Sequence, residues 1–294
     1  MQKRILASCA AALVLAGCGG GSGDGSGGGG FLGFGGGGSL FASRQVPLEA
    51  QTPEQIYAQA EVQLETGRPD RAAELFGEVE RLYPYSAWAK RALIMQAFAY
   101  HADRDYESSR VAAQRYLDFY PADEDAAYAQ YLQALSYYDQ IDDVGRDQGL
   151  TFQALQALRA VIERYPESDY ARSSILKFDL AFDHLAGKEM EIGRYYLRRA
   201  HYPAAINRFR VVVEEFQTTS HTAEALHRLV EAYLSLGLEA EAQTAGAILA
   251  YNFEATDWYA DSYRLLVERG LQAEAQGDSW LAQIYRQTVR GAWL

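Results

Sequence analysis

From Thr52 onward, apolar and small residues recur three and four positions apart, the period of a helix that buries one face. The runs are closed by one recurring phrase: "RLYPYS" at Pro84, "DFYPAD" at Pro121 and "RYPESD" at Pro166. A degenerate fourth, "EEFQTTS", puts Phe216-Gln217 in the same place. Paired helical runs that repeat in this way predict stacked helical hairpins. In the first pair Ala60, Gly67, Ala72 and Phe76 stand where two helices would cross. Ala97, Tyr100 and Tyr106 do so in the second, Ala134, Tyr137 and Ala154 in the third. Gly193, Tyr196, Tyr202, Ala205 and Phe209 mark the fourth, and Tyr233, Gly237 and Ala242 the fifth. Small residues let backbones approach, aromatics fill the space beside them, and proline closes the second helix.

The predicted fold is therefore all-α: a tetratricopeptide-repeat superhelix of about five pairs plus a C-terminal extra pair. Repeats 1–3 span 52–166 and repeats 4–5 span 167–253. The polar, glycine-punctuated stretch Asp139 to Gly149 reads as a loop inserted in the third pair. Ser168 to Ala186 reads as extra helix running on into the fourth. Residues 254–294, with Trp258 and Trp280, read as a closing pair that shields the end of the stack.

The first fifty residues follow a different pattern. Lys3 and Arg4 precede an apolar stretch from Ile5 to Leu15 and then small residues, the layout of a secretory signal. "LAGC" is similar to the lipobox of bacterial lipoproteins. Residues 1–17 are thus expected to be removed and Cys18 to carry lipid. Of the two cysteines, Cys9 would leave with the signal, so no internal disulfide is expected. Residues 18–51 read as a Gly/Ser-rich tether; 19–39 alone would span roughly 25 Å on average. Gly19 after the cysteine, by resemblance to Gram-negative lipoproteins, points to the inner leaflet of the outer membrane, facing the periplasm.

Charge and chemistry narrow the function. The chain has 27 basic residues against 39 acidic ones, which argues against a nucleic-acid partner. The five histidines show no zinc spacing, Asp139, Asp142, Asp143 and Asp147 do not fit a calcium loop, and no phosphate cradle or nucleophile elbow is present. The expectation is a binding scaffold with no catalytic residue, no metal site and no cofactor beyond the lipid. On the first helices of pairs one and two, Tyr57, Glu61 and Leu64, and Arg91, Ile94, Phe98 and His101, share the face expected to line the concave surface. That set suits an extended apolar peptide with a polar end. In the fourth pair Arg194, Arg198, Arg199, His201, Arg208 and Arg210 concentrate positive charge on an acidic chain, which fits an acidic partner.

The lipobox, the hairpins ending in "RLYPYS" and "RYPESDYA", and the block "RYYLRRAHYPAAINRFRVVVEEF" together resemble the BamD (ComL-like) family over residues 52–253. These are lipoproteins of the outer-membrane β-barrel assembly machinery. The resemblance implies binding to a membrane-proximal POTRA domain of BamA, company with other Bam lipoproteins, and recognition of unfolded β-barrel clients by the N-terminal repeats. It implies a client-binding role for Tyr83, and Tyr57, Tyr85, Arg91 and Phe98 are taken with it as the candidate client site. It implies roles for Arg199 and Arg208 in client contact and in coupling to BamA, and Arg194 and Arg198 of the same cluster are taken with them as coupling candidates. The glycine that usually follows Arg199 is Ala200 here. Another periplasmic repeat protein, a CpoB-like Tol-Pal coordinator or a pilotin, would share the hairpins without the block of the fourth pair.

Overall fold

The computed structural model describes residues 47–275 and 278–289, and the side chains of that last stretch as far as Gln287. The expected signal peptide, Cys18 and the glycine-rich part of the tether lie outside the described residues. Among the described residues there are twelve α-helices and no strand. A short 3-10 turn, Leu48–Ala50, leads into α1 (Pro53–Glu65) and α2 (Pro69–Leu82). Next come α3 (Ala87–Ala102), α4 (Tyr106–Phe119), α5 (Ala126–Tyr138) and α6 (Gly149–Arg164). The 30-residue α7 (Asp169–Arg198) precedes α8 (Tyr202–Glu215), α9 (Thr222–Leu236) and α10 (Glu239–Asn252). The chain closes with α11 (Asp257–Val267) and α12 (Trp280–Val289).

Each helix from α1 to α10 packs on the next, and α1, α3, α5 and α7 also touch in series. First helices thus form one wall and second helices the other, the arrangement of a tetratricopeptide stack. α7 joins the extra stretch to the first helix of the fourth pair without a break, as its sequence pattern predicts. Beyond the fifth pair, α11 packs on α9 and α10, while α12 packs on α10. Leu266 and Leu281 are buried there, with Trp258 and Trp280 against the same core.

The recurring phrase has one geometry. Tyr83, Tyr120 and Tyr165 end α2, α4 and α6 with φ −134°, −132° and −132°, out of the helical region, as a following proline requires. Phe216 and Phe253 end α8 and α10 at −123° and −136° although no proline follows. The aromatic, rather than the proline, is common to all five second-helix ends. Ser86, Ser168 and Thr256 then cap α3, α7 and α11, each side-chain oxygen accepting from the N–H three residues on.

The turn inside each pair is equally regular. Gly67, Arg104, Ala200, Gly237 and Gly270 all take positive φ just past the end of α1, α3, α7, α9 and α11. Gly67 and Gly237 therefore serve the turn and not the helix crossing expected of them; nothing lies within 4 Å of a Cβ placed there. The third pair has no such residue, because the loop after α5 takes another path. It lies against α7, where Lys188 Nζ donates to the Gly145 carbonyl at 2.7 Å. The crossing alanines are as expected: Ala60, Ala72, Ala97, Ala134, Ala154, Ala205 and Ala242 are fully buried.

Ala200 pays for its side chain with a strained φ of 57°. Replacing Ala200 with glycine is expected to raise stability by about 0.5–1 kcal/mol, the left-handed strain relieved outweighing the entropy glycine adds to the unfolded chain. A rise in urea midpoint with unchanged slope is the readout; a fall would mean that the turn is not strained.

Asp123, in the α4–α5 turn, ties three segments together. It accepts from Lys90 Nζ at 2.6 Å, from the Tyr116 hydroxyl at 2.6 Å and from the Asp125 N–H at 3.2 Å. The Lys90 bond first and the Tyr116 bond second hold its carboxyl down to about 2, from 3.8. A lowered folded pKa means that this stabilisation is whole above pH 4 and is lost as pH falls from about 4 to 2. The stability advantage of the native protein over Asp123→Asn should therefore shrink across that window, measured by urea unfolding at pH 7, 4 and 2.5. An advantage independent of pH would rule the carboxylate out as its source.

Candidate binding surfaces

The first surface lies where α1, α2 and α3 meet. Tyr57 is only 8% exposed, its ring 5.1 Å from Phe76 and 4.9 Å from Trp88. Burial is the main force raising its phenol pKa, Glu61 adding to it and Arg91 opposing it. This corrects the reading of Tyr57 as a surface contact: it is a core ring that props Trp88, because its position on α1 turns it toward α2. Ile94 is buried likewise, and Leu64 packs against the same core as Tyr57. Trp88 is the residue that pattern reading passes over. It stands three before Arg91 on α3, its Nε1 donates to Glu54 Oε1 at 3.0 Å, and the Arg91 guanidinium sits 5.6 Å over its ring. Arg91 is exposed and Phe98 is 37% exposed; seven residues apart, they share one face of α3.

Tyr83 and Tyr85 flank Pro84 but differ in state. Tyr83 is half-buried and its hydroxyl donates to the Gln51 carbonyl, binding the lead-in segment to the end of α2. Gln51 is also met by the Gln59 side-chain amide at 2.5 Å. Tyr85 stands fully in solvent. The accessible set is thus Tyr85, Arg91 with Trp88, and Phe98, with Tyr83 at its edge.

The second surface is the turn from α7 to α8. Arg194 is not free: it makes a two-pronged bond to Glu224 on α9, at 2.9 and 2.5 Å. Burial pushes the Glu224 carboxyl up, but Arg194 and then Arg228 outweigh it, and its pKa is lowered. Arg208 pairs with Glu189 at 3.0 Å and Arg210 with Glu214 at 2.8 Å. Arg198 and Arg199 are exposed and make no ion pair among the described residues, and Arg199 lies 4.5 Å over the ring of Tyr195. His201 is exposed beside them. The four arginines taken as coupling candidates thus reduce to one cationic corner, Arg198 and Arg199 with Tyr195; Arg194 holds α7 to α9 and Arg208 holds α8 to α7.

Among the described residues no group of three or more His, Cys, Asp or Glu is placed to hold a metal. None of their helices is long and apolar enough to cross a membrane. Each surface offers an aromatic ring with an exposed arginine over it that makes no ion pair among the described residues.

Comparison with known proteins gives one answer. A family model described as "YfiO: Outer membrane lipoprotein" matches residues 49–248. A relative from Caulobacter vibrioides, an outer membrane protein assembly factor BamD, is 48% identical over 76% of this chain and 73% of its own length. Its counterpart from Rickettsia prowazekii is 42% identical over 72% and 84%. That from Neisseria meningitidis serogroup A is 30% identical over 68% and 79%. The family model stops inside α10, so α11 and α12 lie outside it.

Proposed function

The chain belongs to the BamD (YfiO) family of outer-membrane lipoproteins, and from that membership we propose that it is an assembly factor for outer-membrane proteins. It works as a scaffold in a β-barrel assembly complex and makes no bonds of its own. Residues 1–17 direct export, Cys18 carries the lipid, and residues 18–51 tether the repeats to the inner leaflet of the outer membrane. Two or more acyl chains, at about 0.8 kcal/mol per buried CH₂, hold far more firmly than one.

Repeats 1–3 take extended segments of unfolded β-barrel clients, with Tyr85, Arg91 and Phe98 in contact and Tyr83 at the edge of the site. The Arg91 guanidinium over the Trp88 ring, with a fully exposed Tyr85 three residues before Trp88 in the chain, is the observation that favours this reading most. Large rings with a cation above them bind apolar polypeptide at low entropic cost. The unpaired Arg198–Arg199 corner couples the scaffold to an acidic face of BamA's membrane-proximal POTRA domain. Arg194 and Arg208 act there by holding α7 and α8 in position.

Affinity capture from solubilised outer membranes tests the assignment. The native chain is expected to retain a POTRA-bearing barrel protein, and Arg198→Glu/Arg199→Glu to lose it while staying folded. Cys18→Ser should move the chain from the membrane to the soluble fraction. Tyr83→Ala should weaken client-peptide binding without unfolding the protein. Capture of no barrel protein by intact bait would remove the reading, and full-strength peptide binding by the variant would remove Tyr83 from the site.

A further inference from the structure

A cleft between α6, α7 and the end of α8 is used by neither surface above. It holds about 260 Å³ and its walls include Phe152, Phe178, Phe182 and Phe216. Phe178 and Phe182 stack at 5.9 Å, and Phe182 meets Phe216 at 4.8 Å. Phe152, at the entrance, is 57% exposed. Ligand pockets for whole small molecules start at about 300 Å³. This one is sized for a single large apolar side chain. Phe178, Phe182 and Phe216 pack partly buried against Leu155, Ala181 and Leu185, whereas Phe152 projects from them into solvent.

Two charges frame the opening. Arg159 on α6 lies 5.5 Å over the Phe178 ring, is exposed, and has no carboxylate within ion-pair distance among the described residues. Like Arg198 and Arg199 it keeps its charge available, whereas Arg194, Arg208, Arg210 and Arg228 have acidic partners. A cation held by a ring at the mouth of an apolar cleft complements an acid adjoining an apolar group. Glu215, on α8, also lines the cleft, exposed and without an ion pair among the described residues. It disfavours an acyl chain headed by a bare anion, whereas a peptide can meet it with its own backbone N–H groups.

We propose that this cleft binds a short extended segment of a partner protein in which a phenylalanine or leucine adjoins an aspartate or glutamate. The apolar side chain enters between Phe152, Phe178, Phe182 and Phe216. The acid pairs with Arg159, and the backbone passes Glu215. The site shares no residue with the client or BamA surfaces and does not depend on those readings.

Fluorescence anisotropy on the full-length protein in lipid nanodiscs tests it. The probe is an end-capped, dye-labelled Gly-Ser-Asp-Phe-Ser-Gly peptide; the controls put Lys for Asp, or Ala for Phe. The native protein should bind the Asp-Phe peptide about tenfold more tightly than either control, the change expected for about 1.4 kcal/mol. Arg159→Glu should reverse the preference between the Asp and Lys peptides. Phe152→Ala, at an exposed position that leaves the fold intact, should weaken both. Equal binding of all three peptides, no binding, or an unchanged preference in Arg159→Glu would overturn the proposal. So would uptake of a fatty acid in place of the peptide, or a dimer by sedimentation that Arg159→Glu dissolves.

Discussion

Phe209→Ala is expected to lower the unfolding free energy by about 3–5 kcal/mol, the range for emptying a fully buried aromatic site. Phe209 is 0% exposed and is placed against Gly193, where α7 crosses α8. A Cβ on Gly193 would lie 2.4 Å from one Phe209 ring carbon and 2.8 Å from two more. Gly193→Ala is therefore expected to cost about 1–3 kcal/mol through overpacking. The two changes relieve each other. Once the ring is gone, the new methyl group has room and alanine is the better helix former by about 1 kcal/mol. Gly193→Ala should then stabilise the Phe209→Ala background, reversing its sign. Urea unfolding of the four proteins gives the coupling directly. Additive costs would show that the ring and the glycine do not share this space. Arg198 ends α7 and Arg199 caps it, one turn beyond this crossing.

Much of this architecture was legible in the chain. The aromatic phrase marked the ends of α2, α4, α6 and α8 because a second helix there must leave the helical region, which Tyr-Pro enforces in the first three. The long α7 was legible because no glycine or proline breaks the stretch between Ser168 and Ala186. Glycine was less transparent. Gly67 and Gly237 look like crossing residues because the same amino acid serves close approach and left-handed turns; φ alone separates them from Gly193. The equivalence of Arg104 and Ala200 to those turn glycines carries no composition signal. Candidate surfaces were read only in part, since spacing assigns a residue to a helix face but not to an exposure. Tyr57 and Ile94 share a pattern with Arg91 and Phe98, yet the first two are core. Trp88 was passed over because a tryptophan at a helix start reads as packing. The reduction of four arginines to two free ones depended on Glu224, thirty residues beyond Arg194 and on another helix.

That pair gives the second large effect. Arg194→Ala is expected to cost about 2 kcal/mol at pH 7. Losing one partner of a buried pair costs about 3–5 kcal/mol, and here the exposure of the arginine, 33% of its side chain, lowers the figure. Glu224, 12% exposed, would keep only Arg228 at 3.3 Å. In the native protein burial opposes the charge on Glu224, and Arg194 first and Arg228 second overcome it, holding its pKa below 4.5. The stabilisation is therefore full above pH 4.5 and declines as pH falls through the lowered folded value. Without Arg194 burial prevails and the carboxyl protonates more readily, so the cost of the substitution should shrink as the medium becomes acidic. Adding Glu224→Gln should return part of the loss at pH 7, because no unpaired charge then remains buried. The bridge also reaches the end of the stack, since Arg228 bonds Glu231 and lies 5.4 Å over Trp258 on α11. Arg198→Ala and Arg199→Ala make the contrast: with no ion pair to lose, each should change stability by less than about 0.5 kcal/mol. Partner capture should respond in the opposite order, falling most for the two exposed arginines. An Arg194→Ala variant with native stability at pH 7 would mean that the Glu224 bond is not formed in solution. Arg194 would then join the cationic corner.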